Sequence, residues 1–166
     1  MLGVAVLVVT RAEHRAALAR EQPADPLSEE RASAITVDAV VDIVGLADLD
    51  EPSGAYSLRS CSTATDPPYR VVVNMTFAVP QGNPPRYLAG IASAMTEIGW
   101  TSAATPAPHF GHKLTRAGLT ATFFRNPERT DLATMTVDGE CRVLAPEHRA
   151  PDVAWVDVTE RLRAAR

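Results

Sequence analysis

Apolar and polar residues alternate most regularly between Tyr69 and Val79 (YRVVVNMTFAV). Val71, Val73, Met75, Phe77 and Val79 fall on one face; Val72, Asn74, Thr76 and Ala78 fall on the other. Period-two alternation rich in β-branched and aromatic side chains predicts a half-buried strand. Pro67-Pro68 and Pro80 bound it, because proline donates no ladder hydrogen bond. The mild polarity of the second face predicts an antiparallel sheet with one wet side.

After Gln81-Gly82 the period becomes helical. Asn83 suits an N-cap and Pro84 the first helical position. Tyr87, Leu88, Ile91, Met95 and Ile98 form one apolar stripe, and Gly99 is placed to close the helix in a left-handed conformation. Trp100 then folds back as an apolar plug. An earlier helix is predicted over Leu27 to Val44, started by Asp25 before Pro26. Its stripe is Leu27, Ile35, Val40, Ile43 and Val44, and it stops at Gly45.

Shorter elements fill the rest. Ala55 to Cys61 reads as a strand in a hairpin with the Tyr69 strand, since sequential strands usually neighbour each other. Thr101 to Pro108 reads as a brief edge strand and a loop. Strands follow over His112 to Thr115, Leu119 to Arg125 and Leu132 to Val137. Asp138-Gly139 is a strong two-residue hairpin signal, sending Glu140 to Leu144 back antiparallel with Cys141 in the returning strand. A loop covers Pro146 to Pro151. A last helix starts near Asp157, with Val158, Leu162 and Ala165 on one side and a frayed basic end. The order predicts an α+β fold: a two-layer sandwich, an antiparallel meander sheet with two helices packed on one face. One domain spans 27–166, and residues 1–26 form an apolar segment and a linker.

That leading segment changes the picture of location. Leu2 to Val9 (LGVAVLVV) is unbroken apolar sequence ended by charges, yet too short for the roughly 20 residues that span a bilayer. It lacks a basic n-region and a cleavage site, so it is a poor signal peptide. It reads as the last half of a membrane helix whose beginning lies upstream, hence a single-pass anchor with the domain on the extracytoplasmic side. The alternatives are a secreted protein, or an N-terminal element packed into the domain. No lipobox cysteine follows the run.

The net charge of -4 gives nucleic-acid binding no electrostatic support. Cys61 and Cys141 are the only cysteines. No CxxC spacing or histidine cluster accompanies them, so they make a poor metal motif. A disulfide between them would persist only in an oxidising compartment. Two unrelated buried thiols are the alternative.

Candidate chemistry is thin. His109 and His112 are three apart, but Pro108 and Gly111 place them in a loop, and no nearby carboxylate completes a ligand set. Asp138 and Glu140 could pair for acid–base work, though a solvated turn explains them. Asn74-Met75-Thr76 matches a glycosylation sequon within a strand. Ser60, Ser62 and Thr63 flank Cys61 without a local base. No nucleophile elbow, phosphate loop, HExxH or dinucleotide fingerprint occurs, so the reading assigns no catalytic, cofactor-binding or metal residue.

The Ser60-Cys61 strand, the Pro67-Pro68-Tyr69 entry, the Gly99-Trp100 helix end and the Gly139-Glu140-Cys141 turn together resemble small actinobacterial envelope proteins and lipoproteins of the mycobacterial type. Lys113 is the only lysine among many arginines, a bias of GC-rich coding that fits such a source. The resemblance covers about Tyr56 to Val143 and implies an anchor, one α+β domain and a single cysteine pair. It implies no activity. The expectation is a membrane-tethered, non-enzymatic domain that binds a protein or envelope component, with an apolar patch on the sheet or in a helix–sheet crevice. A lipid or small-molecule carrier would instead need a cavity between the sheet and the Asn83–Ile98 helix. An enzyme would need convergent polar groups brought together from distant residues.

Overall fold

The computed structural model describes residues 27–62, 66–105, 111–145 and 154–166. The anchor expected in residues 1–26 and the loop expected over 146–151 lie outside the described residues.

The first helix starts later than its proline suggested. Leu27–Ser28 is a short strand, β1, and helix α1 runs Glu29–Ala47. Ser28 is the N-cap: its Oγ accepts from the Arg31 N–H at 3.1 Å, and Glu29 and Glu30 occupy the first turn, where the helix dipole favours them. The helix also passes through Gly45, whose missing side chain makes room for the C-terminal segment: a Cβ there would lie 2.7 Å from the Ala165 carbonyl oxygen. It closes at Asp48 in the left-handed region.

Strands β2 (Ser53–Ser60) and β3 (Tyr69–Ala78) pair antiparallel, as the hairpin reading required. Helix α2 (Pro84–Glu97) has Asn83 as N-cap, whose Oδ1 accepts from the Arg86 N–H. Its end is a Schellman closure: Gly99 N–H donates to Thr96 O and Trp100 N–H to Met95 O, with Gly99 at φ +91°. Trp100 is buried at 2% exposure. The Arg116 guanidinium lies 5.0 Å from the Trp100 ring centroid and donates to Ile98 O at the helix end, which fixes the plug from outside.

The remaining strands are β4 (Thr101–Ser102), β5 (Gly111–Arg116), β6 (Leu119–Arg125), β7 (Leu132–Asp138), β8 (Leu144–Ala145) and β9 (Val156–Asp157), with a short helix α3 (Thr159–Arg163) last. The main sheet has the order β4-β5-β6-β7-β3-β2-β9 and is antiparallel throughout. The run β4-β5-β6-β7 is a simple meander; β7 then lies in the middle of the sheet and pairs with β3. β1 and β8 form a separate parallel pair.

Two expectations near the cysteines are corrected. Asp138-Gly139 does not turn the chain back. β3 pairs Val72 with Asp138 and then Tyr69 with Arg142, so three residue steps on β3 face four on the other strand. That is a β-bulge, and the chain keeps running along β3. Gly139 is there because a Cβ would meet Thr36 Oγ1 of α1 at 2.8 Å. Neither cysteine lies inside a strand: Cys61 follows β2, and Cys141 lies between the bulge and β8.

The layers are a sheet with helices on one face, as the α+β reading held. Val73, Met75 and Phe77 of β3 meet Ala121 and Phe123 of β6, Met135 and Val137 of β7, Val40, Ile43 and Val44 of α1, and Leu88, Ile91 and Met95 of α2 in one core. Leu162 of α3 joins it, fully buried. A smaller cluster of Leu58, Tyr69, Val71 and Leu144 lies apart. The other face is wet, with Thr76, Thr120, Thr122, Thr134 and Thr136 half-buried and the Thr136 hydroxyl donating to Asn74 Oδ1 at 2.7 Å. Among the described residues no helix is long and apolar enough to cross a membrane.

Candidate binding cleft

The predicted site residues do not converge. Asp138 pairs with Arg70 at 3.3 Å, whereas Glu140 pairs with Arg142 at 2.6 Å, so the two carboxylates serve different arginines. The Ser60 hydroxyl donates to the Asp66 carbonyl and sits near Ser62, an arrangement that closes the turn after β2. Thr63 and His109 lie outside the described residues. His112 is in strand β5 and not in a loop; it stacks on Phe123, its cross-strand partner, at 5.3 Å between ring centroids. Among the described residues no three His, Cys, Asp or Glu side chains gather as metal ligands.

Among the displaced pKa values, burial moves two in opposite directions and an ion pair moves a third. Burial pushes the Tyr87 phenol up, with Asp50 and Asp48 adding to it. Burial pulls the His112 imidazole down. The Arg129 guanidinium, bonded to both carboxylate oxygens, holds Asp131 below the usual range. The clefts described below gather no two of them.

His112 makes a pH prediction. Its folded pKa lies below the ordinary value of 6.5, so between the two values the unfolded chain holds more protons. Its contribution is therefore whole above the unfolded pKa and is lost as pH falls toward the folded one. Urea unfolding of the native protein between pH 7.5 and 5 should show a decline that His112→Gln reduces; equal slopes in the two proteins would refute this.

The space beneath α2, where a carrier would need its cavity, is filled by Leu88, Ile91 and Met95, none above 4% exposure. The apolar opening is elsewhere, between the start of α1 and the sheet. It holds about 120 Å³. Leu27, Ala32 and Ile35 form one wall, Val71 and Leu119 the floor, and Ala117 the far lip. Ala117 and Gly118, both at positive φ, make the tight β5–β6 turn that brings this lip in. Glu140 and Arg142, ion-paired to each other, line the remaining side and put a polar edge on the apolar floor. A second cleft of about 280 Å³, between Pro80, Gly82, Arg125 and Asp131, is polar and lies where the end of β6 and the start of α2 meet the neighbouring loops.

Within α1, Ile35 is the residue whose place the helical stripe misjudged. It is 43% exposed. The signal was present: Ile35 lies five positions before Val40, out of phase with the buried Thr36, Val37, Val40, Ile43 and Val44.

Cys61 and Cys141 are joined as a disulfide, with Cα atoms 6.2 Å apart across a sequence separation of 80. Cys141 sits between the two cleft residues Glu140 and Arg142 and is exposed, while Cys61 is half-buried.

Comparison with known proteins adds the following. A family model described as "Putative lipoprotein LppJ" matches residues 28–161. Relatives with the same description from two strains of Mycobacterium tuberculosis and from Mycobacterium bovis are 32% identical over 143 residues, which covers 86% of this chain and 74% of each relative. No solved structure matches the chain.

Proposed function

The chain belongs to the LppJ family of putative lipoproteins, and on that premise we propose that it is a membrane-tethered extracytoplasmic domain that binds a protein or envelope component without catalysis. The observation that carries the binding half is the apolar cleft beside α1, with exposed Ile35 on its wall and a charged pair on its edge. An apolar floor with a polar rim is the anatomy of a small protein-recognition pocket. Both cysteines are consumed in the disulfide, so neither is free to carry a lipid. In this reading the tether runs through the segment that precedes Leu27, where Leu2–Val9 is apolar.

The test is expression from the native locus in a mycobacterial host, with fractionation and external protease treatment of spheroplasts. The protein should follow the membranes, resist high salt, be released by detergent and be cut from outside. A soluble cytosolic protein shielded from protease would end the proposal. A photo-crosslinking residue at Ile35 should give discrete adducts that one at Glu51, far along the chain from the cleft, does not.

A further inference from the structure

We infer that the Cys61–Cys141 disulfide is a reducible clamp: opening it frees the chain from Gly139 to Ala145, and with it one wall of the cleft, while the main sheet stays folded. This rests on the disulfide and its surroundings and not on the tether.

Backbone pairing is thin around the clamp. Beyond the bulge, the chain is held to β3 by a single bridge, in which Tyr69 N–H donates to Arg142 O and Arg142 N–H to Tyr69 O. Among the described residues β8 then pairs with β1 over two residues, with Leu27 N–H donating to Val143 O beside them. β7, by contrast, pairs with β3 over seven residues. The side chains follow the same division. Leu144 packs with Leu58, Tyr69 and Val71 in the small separate cluster, not in the core beneath the helices. A region with few pairs and its own minor cluster opens at lower free energy than the main core. Cys141 is exposed, so a reductant can reach its sulfur.

The reaction balances with an external dithiol. One of its thiolates attacks Sγ of Cys141, forming a mixed disulfide and releasing Cys61 as the thiolate. The second sulfur of the dithiol then displaces Cys141. Two cysteine thiols and one oxidised dithiol result, with two electrons transferred.

Hydrogen exchange read by mass spectrometry tests this on the full chain, oxidised and after dithiothreitol, beside the Cys61→Ser/Cys141→Ser variant. Amides of residues 27–32, 66–70 and 139–145 should lose nearly all their protection and exchange close to the unfolded-chain rate, whereas those of Leu119–Asp138, though faster by the loss of global stability, should remain strongly protected. Loss of protection across the whole chain on reduction of the native protein would overturn the clamp, and so would unchanged exchange near the cysteines. Should the variant not fold, the reduced native protein still decides between these outcomes.

Discussion

Replacing Cys61 and Cys141 together by serine should lower the free energy of unfolding by up to about 4–5 kcal/mol, the chain-entropy value for a loop of 80 residues. The cross-link acts mainly on the unfolded chain, which without it gains the conformations of a long open loop. Any loosening of the native chain near Arg142 gives the folded state some entropy too, so the measured loss falls at or below this figure. Urea unfolding should show the lower midpoint together with a steeper denaturant dependence, because the uncross-linked unfolded state exposes more surface. The melting temperature should drop by roughly 10–20 °C for a chain of this size. An unchanged midpoint would show that the loop is already constrained in the unfolded state.

Leu162→Ala should cost about 2–5 kcal/mol, the range for truncating a fully buried leucine. The residue sits just past the end of the family match at 161, on a helix of five residues that contributes little stability of its own. Its side chain nonetheless enters the main core. The socket depends on Gly54 of β2: a Cβ there would lie 3.2 Å from Leu162 Cδ1 and 2.9 Å from the Asn74 carbonyl oxygen. β9 pairs with Ala55 and Tyr56 beside it, and the ion pairs of Arg161 with Asp38 and of Arg166 with Asp48 and Asp50 tie the same segment to α1 and the loop after it. Chemical denaturation of the variant measures the loss. A cost below about 1 kcal/mol, the level of a surface change, would mean that the C-terminal segment is an accessory and not part of the core.

What could be read beforehand depended on how local its cause was. The β3 strand and α2 were legible because alternation, N-cap, proline and closing glycine all lie within the segments they govern. The start of α1 was misplaced because Asp25-Pro26 and Ser28 are both plausible local signals, and the choice between them is made by β8, more than a hundred residues away. Asp138-Gly139 looked like a turn because that pair usually is one. Its glycine answers instead to Thr36 on a distant helix. The basic C-terminus has partners equally remote in sequence: Arg166 meets Asp48 and Asp50. The cysteines could be singled out by number and separation alone. The cleft could not, since its walls come from residues 27–35, 117–119 and 139–142.

The sheet ends at both rims in strands of two residues, β4 and β9. Each covers part of the longer strand behind it, Ala55 and Tyr56 of β2 and Leu114 and Thr115 of β5, and so interrupts the ladder an incoming chain could extend. Two copies meeting rim to rim would thus find little continuous backbone to share.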